Sequence, residues 1–426
     1  MMSSMYQSLA ALLALLASIE LASADLGAAL RRASAGQGAA TAPTLPAQAA
    51  LQRPVAIELT KKSSVSSPHG IDATFYTANV TVGHPAQSLE VMFDTGSGSV
   101  LLPHRACQSA ACKEHRRYSP WQSATAMDVG INGAQVQKGQ RLAKGAVMRD
   151  VATIGFSQAD LGDGEAKTVL VRDSVCVKED QSCVDMPLLA AISMDDKPFA
   201  AMPSDGIIGL GMEALSPKGC SFLSYLFEGA TGVSKVFGVY LGADRGQLML
   251  GDVNAQVVSE PITWLPVDHP AEGYWQVAIN SVRVGGVVMD SCASGCHGVV
   301  DTGASRLGVQ QTVYDKIHTK LLGSLSAMAG GGCQGPSVEI DLGSMVLTLG
   351  AEDYSDVHCE PLIGSLNLEE PKFVGVYSLG EAVLRHYYAA FDWENQRVGF
   401  ARVAEEPKGA PAAGFVRQTV GLPVVV

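Results

Sequence analysis

From Tyr76 onward the chain alternates short apolar runs with turn residues. Tyr76–Val82, Leu89–Phe93, Val236–Leu241 and Gln247–Gly251 are each of strand length. One stretch keeps a helical period instead. Val313, Ile317, Leu321 and Leu325 recur at every fourth position, which predicts a helix over Gln311–Met328. The pattern as a whole predicts a mainly β protein. Residues 25–66, rich in Ala, Gln and Pro with little apolar periodicity, read as a prosegment or linker. A Pro/Ala/Gly-containing tail, 406–426, is expected to be loose. At the start, the apolar run Leu9–Ile19 precedes Ala22-Ser23-Ala24, predicting a cleaved secretory signal over 1–24, although no Lys or Arg comes before the run. No later segment is long and apolar enough to span a bilayer.

The pattern also repeats internally. Leu89–Phe93 runs apolar into Asp94-Thr95-Gly96, and Gly298–Val300 runs apolar into Asp301-Thr302-Gly303. Each triplet is followed later by an apolar pair ending in glycine. In the first half it is Ile207-Ile208-Gly209; in the second, a looser Ser378-Leu379-Gly380. Two related lobes are therefore expected, 67–256 carrying Asp94 and 257–405 carrying Asp301.

Composition narrows the reading. A chain of 426 residues, 47% hydrophobic and only 17% charged, can build two cores, and its 45 glycines suit many tight turns. The net charge of −12 repels phosphate backbones and argues against a nucleic-acid partner. Eight of the nine cysteines fall into local pairs: Cys107 with Cys112, Cys176 with Cys183, Cys292 with Cys296, and Cys333 with Cys359. Cys220 is left alone. Such pairs suit disulfides formed in an oxidising compartment. The alternative is metal binding, which wants ligands that converge; these pairs are scattered, and the nine His residues show no metal or triad spacing.

Two strand-end carboxylates held close together have distinctive chemistry. Like charges at short range push one pKa up, so the pair shares one proton at mildly acidic pH; aspartic proteases are the standard instance of this effect. One carboxyl can then take a proton from water while the other polarises a peptide carbonyl. That reaction asks for neither cofactor nor metal. Gly96 and Gly303 allow a sharp turn at each strand end, the Thr95 and Thr302 hydroxyls are suited to bonding across the junction, and Ser97 can donate to Asp94. The bland alternative is a pair of Asp-initiated turns that satisfy only their own backbones.

From about Phe75 to Val403 the sequence resembles the pepsin family, motif after motif in order. Phe93-Asp94-Thr95-Gly96-Ser97 with Pro103 and the loop from Cys107 to Cys112 is followed by Ser204-Asp205-Gly206-Ile207-Ile208-Gly209-Leu210-Gly211. Glu272-Gly273-Tyr274-Trp275-Gln276 and the loop from Cys292 to Cys296 then lead into Val299-Val300-Asp301-Thr302-Gly303. Tyr377-Ser378-Leu379-Gly380 and Arg385–Asp392 resemble the C-terminal signature, with Cys333 and Cys359 where the family has its third bridge. The resemblance implies a bilobal acid-protease fold, two lobes like six-stranded barrels with a cleft between them. It implies endopeptidase activity on peptide or protein substrates by a monomer, with Asp94 and Asp301 catalytic and Thr95, Gly96, Ser97, Thr302, Gly303 and Ala304 supporting them. A secreted or acidic vesicular location is expected.

The sequence departs from that family in several places. Its usual flap tyrosine is missing, since no Tyr occurs between Tyr118 and Tyr225; the flap region, 135–150, carries Lys138, Gln140 and Arg141 instead. The tryptophan that normally supports it is replaced by Leu101. Ala304 stands where a Ser or Thr is usual and has no hydroxyl to give Asp301. A hydrogen bond to a charged group contributes about 1.5–3 kcal/mol, so the dyad is expected to titrate higher and the optimum to be less acidic than is usual in the family. Lys61-Lys62 resembles the prosegment lysine that family zymogens lay against the aspartates, and, like Arg31-Arg32, is a candidate processing site. Asn79-Val80-Thr81 is a candidate N-glycosylation sequon. Two other readings compete with an enzyme. One is a non-catalytic peptide- or protein-binding member of the same fold; the other is an inhibitor or lectin-like relative, in which the catalytic motifs would have decayed.

Overall fold

The computed structural model describes residues 51–64, 73–136, 150–158, 161–178, 182–228, 230–366 and 374–404. The expected signal, residues 25–50 and 65–66 of the linker, flap positions 137–149 and the tail lie outside them. The fold is mainly β and bilobal, of the pepsin-like type. One extended sheet of fourteen strands runs through the first half and takes in strands from the end of the chain; the second half adds sheets of five and four strands.

The two halves build their central strands alike. In the first, Gln87–Asp94 runs parallel to Gly206–Gly209, with Asp94 beside Gly209, and Val100–Pro103 lies antiparallel on the far side of Gly206–Gly209. In the second, Cys296–Val300 runs parallel to Val376–Leu379, with Val300 beside Leu379, and Leu307–Gln310 takes the antiparallel place. The repeated apolar-Gly segment is thus the strand that pairs with each Asp-bearing strand. Its residues are buried, as strands covered on both faces must be.

The halves are sewn together at their centre. Val236–Leu241 pairs antiparallel with Tyr387–Asp392, placing Phe237 opposite Phe391 with their rings stacked at 4.5 Å. Trp275, fully buried, packs edge-on against both. Its indole N–H donates to Leu210 O at 2.7 Å, and its carbonyl accepts from Val300 N at 2.9 Å. One residue therefore touches the chain just after Gly209 and just before Asp301.

Two expectations change. Val55–Ser64, within the presumed linker, is a ten-residue strand between Arg245–Leu250 and Ala73–Val82. Val55, Ile57 and Leu59 are buried at alternate positions with Leu51 before them, a period-two pattern too short to stand out in an Ala/Pro-rich neighbourhood. The predicted helix is Gln311–Leu322 and stops at Gly323. Val313, Ile317 and Leu321 form its buried face, whereas Leu325 reaches the core from outside it. Glycine is a poor helix residue, and the following Ser326–Ala327 pairs with Cys333–Gln334 instead.

The four local cysteine pairs are all disulfide-bonded. Cys107 is bonded to Cys112 across the short helix Ala110–Glu114, and Cys176 to Cys183 between the paired ends of two strands. Cys292 is bonded to Cys296 at the entry to the strand that leads to Asp301, and Cys333 to Cys359 over a separation of 26 residues. A sulfur tied up in a disulfide is no thiolate ligand, so the metal reading falls for Cys112, Cys183, Cys296, Cys359 and their partners alike. Cys220 is a buried free thiol whose pKa is pushed up to about 11 by burial. Asn79 is an exposed position on the strand Ala73–Val82, 3.5 Å from the Arg116 guanidinium. No described helix is long and apolar enough to cross a membrane.

Candidate active site

Each catalytic-type carboxyl sits where an apolar strand ends, so the strand core fixes its backbone while its side chain faces the junction. Asp94 closes Gln87–Asp94, and its carbonyl accepts from Leu210 N at 2.7 Å. Asp301 follows Cys296–Val300, and its amide donates to Leu379 O at 3.2 Å. Each turn then feeds an amide back to its own carboxylate: Gly96 N to Asp94 Oδ1 and Gly303 N to Asp301 Oδ1, both at 2.8 Å. These are Asp-initiated turns, but they do more than satisfy themselves.

The two turns interlock. A Cβ on Gly96 would lie 2.8 Å from the Asp301 carboxyl, and one on Gly303 would lie 2.5 Å from Asp94 Oδ1. Neither glycine leaves room for a side chain, so each carboxyl rests on the backbone of the opposite turn. Thr95 N donates to Thr302 Oγ1 and Thr302 N to Thr95 Oγ1, both at 3.0 Å. The hydroxyls then donate onward, Thr95 to Val300 O at 2.6 Å and Thr302 to Phe93 O at 2.7 Å. Both threonines are buried, so these bonds form where water does not compete.

The carboxyls of Asp94 and Asp301 hydrogen-bond to each other. Asp301 is held well above the usual carboxylate range, first by desolvation, then by the Asp94 charge and that shared bond. Backbone N–H groups of Gly303 and Ala304 pull the other way without prevailing. Asp301 is half-buried, and the protein packed around it sets the desolvation. Ala304 therefore helps Asp301 through its amide although it has no hydroxyl.

The expected bond from Ser97 is not made. Its buried Oγ has no partner among the described residues. The lysine expectation is also corrected. Lys61 Nζ pairs with Glu381 at 2.8 Å and Lys62 Nζ with Glu90 at 2.5 Å, so neither covers the dyad. Both lie on the strand Val55–Ser64, whose pairing along its two edges holds the lysines to those carboxylates.

Supporting residues emerge that sequence reasoning passed over. Glu381 N donates to Ala304 O at 2.8 Å, while its buried carboxylate accepts from Lys61 and from the Thr74 hydroxyl. Ser305 Oγ bonds both Thr74 N and Thr74 O. The loop after Asp301 is thus anchored to the N-terminal strands. On the other side, Asp205 accepts from Arg116 Nε at 2.7 Å and from Glu90 N at 2.8 Å, pinning the turn that starts Gly206–Gly209. Tyr274 is half-buried near the dyad, its phenol pKa raised by desolvation and then by the Asp301 and Asp94 charges. Only Tyr274 and Asp205 fell inside quoted motifs. Glu381 gave no signal, since its partner lies 320 residues away.

Two strand-end aspartates that share a hydrogen bond across an interlocked junction define an acid-protease type of fold and site. A model of the eukaryotic aspartyl protease family matches residues 75–161 and 156–403. Gastricsin of Cavia porcellus is 30% identical over 362 residues, covering 78% of this chain and 81% of the relative. Pepsin B of Canis lupus familiaris is 28% identical over 346 residues (77% and 81%), and cathepsin E of Aquarana catesbeiana 27% over 344 (77% and 79%). The chain belongs to the eukaryotic aspartyl protease family.

Proposed function

We propose that the protein is an aspartic endopeptidase that hydrolyses peptide bonds with water activated between Asp94 and Asp301. The observation that carries this reading is the hydrogen-bonded carboxyl pair in which burial and the Asp94 charge favour a protonated Asp301. The pair holds one proton as a unit, and its apparent pKa values belong to both residues. Asp301 donates that proton to the substrate carbonyl oxygen while Asp94 accepts one from the attacking water. The tetrahedral diol then collapses, a carboxyl returning a proton to the leaving amine. Gly96, Gly303, Thr95 and Thr302 hold the pair in place, which matters because preorganised polar groups need no rearrangement during the reaction. Ser97 and Ala304 flank the two turns, and Tyr274 is a candidate contact to bound peptide.

Extended peptides or denatured proteins are the proposed substrates, acted on by a monomer. The lobes divide near residue 256. Four disulfides support passage through an oxidising secretory route to a secreted or acidic vesicular destination, after removal of a signal at 1–24. Asn79 is a proposed glycosylation site on that route.

The test is cleavage of denatured haemoglobin or casein across about pH 3–7, with and without a statine-type inhibitor, beside Asp301→Asn. Inhibitor-sensitive cleavage that disappears in the variant is the expected result. Folded wild-type protein that cleaves neither substrate at any pH would overturn the reading in favour of a peptide-binding role.

A further inference from the structure

Asp268, His269 and His297 form a second cluster of titratable groups, separate from the dyad. His297 lies on the strand Cys296–Val300, and its amide donates to Gly375 O at 2.9 Å. Asp268 follows the strand Thr263–Pro266, and its amide donates to Gln276 O at 2.8 Å. Gln276 lies on the strand paired with Cys296–Val300, where Ala278 faces His297. The bend that carries Asp268 is thereby tied to the sheet that carries His297.

His269 is brought in by its backbone. It adopts φ 48°, in the left-handed region where non-glycine residues are uncommon, just before Pro270. That turn swings its imidazole against His297, edge-on, with ring centroids 4.8 Å apart and planes at 88°. His297 Nδ1 stands 2.6 Å from Asp268 Oδ2, and His269 Nδ1 stands 3.1 Å from Asp268 Oδ1. Donor atoms from the three residues all lie within 4.8 Å of one another.

Two imidazole nitrogens and one carboxylate oxygen are a borderline-soft donor set that suits zinc. Zinc binds such donors at about 2.0–2.2 Å, which puts tetrahedral ligand atoms roughly 3.3–3.5 Å apart. His269 meets Asp268 through Oδ1 at 3.1 Å, near that spacing, and His297 meets it through Oδ2 at 2.6 Å, so zinc binding turns the carboxylate to offer one oxygen and opens the His297 contact by about 0.7–0.9 Å. Side-chain exposures of 29% for Asp268, 22% for His297 and 55% for His269 leave an entry path and room for water as fourth ligand. The other compact cluster among the described residues, Asp290 with Cys292 and Cys296, is not comparable, because its sulfurs are bonded to each other.

We propose that Asp268, His269 and His297 bind a zinc ion, one per chain, on the sheet that leads into Asp301. The ion is a brace, not a catalytic group: it clamps the turn at His269 to the strand that carries His297. The inference does not depend on the protease reading.

The test is isothermal titration of zinc chloride into chelator-stripped full-length protein, with thermal melts in parallel. The expected result is saturable uptake of one ion and a zinc-dependent rise in Tm. His269→Gln, at the most exposed ligand, and Asp268→Asn should each weaken binding about tenfold or more and abolish the rise. Their metal-free melts serve as folding controls. Magnesium, which prefers oxygen ligands, should give neither effect. Absence of saturable uptake, or uptake unchanged in both variants, would overturn the proposal.

Discussion

Thr95 and Thr302 each accept the other's backbone amide at 3.0 Å, and each hydroxyl then donates to the strand that carries the opposite turn. The two halves are thus hydrogen-bonded to each other at the point where the two carboxyls meet.

Thr95→Ala leaves the Thr302 amide and the Val300 carbonyl without their partners in a buried setting. Each orphaned group costs about 1–3 kcal/mol. The variant should melt lower, and kcat should fall about tenfold or more with little change in KM, since positioning and not binding is lost. Thr95→Ser keeps the hydroxyl and should recover most of the rate. An Ala variant as active as the parent would refute the positioning role.

Asp301 links stability to pH in the unusual direction for a carboxylate. Its folded pKa lies above the unfolded value of about 3.9, so the native state binds more protons across that window. The favourable contribution is full below about pH 4 and is lost as pH rises through the folded value. Asp301→Asn removes the penalty. Urea denaturation should show the variant gaining on the parent more at pH 7 than at pH 4; an equal or reversed difference would contradict the raised pKa.

Ala304→Ser supplies a hydroxyl to Asp301 beside the amide that Ala304 already gives. A bond to the charged form of about 1.5 kcal/mol corresponds to roughly one pKa unit. The alkaline limb of the pH–rate profile, set by loss of the proton that Asp301 holds, should move down by about one unit, with the parent optimum less acidic than that of Ser-bearing relatives. A profile unmoved by the substitution would show that the backbone amides already saturate Asp301.

The strand Val55–Ser64 should behave as part of the folded body. Lys61–Glu381 is a largely buried pair, with side-chain exposures of 18% and 6%, and Glu381 also braces the loop after Asp301. Lys61→Met should cost about 1–3 kcal/mol, less than a fully isolated pair because Thr74 and Arg385 remain near Glu381. Native protein should resist trypsin at Lys61-Lys62, as both residues lie inside a paired strand. Rapid cleavage there with activity retained would instead favour a detachable prosegment.

The sequence by itself determined the mainly β class, the two Asp-Thr-Gly turns, the strands that flank them and the cysteine pairing. Those features are local: an apolar run, a turn glycine and a short disulfide loop are each encoded within a few neighbouring residues. The repeated apolar-Gly segment was legible too, because the same short pattern is written twice, but that it pairs parallel with each Asp-bearing strand was decided by the tertiary structure. Only the tertiary structure decided how those pieces act on one another. It matched Thr95 with Thr302, set Glu381 behind Ala304 under Lys61, left Ser97 unbonded, and brought Asp268 and His269 to His297. Such contacts join positions far apart in the chain, and their geometry depends on how every intervening strand packs. Hydrophobic periodicity specifies which face of an element is buried, but not which polar atom from a distant element will meet it there.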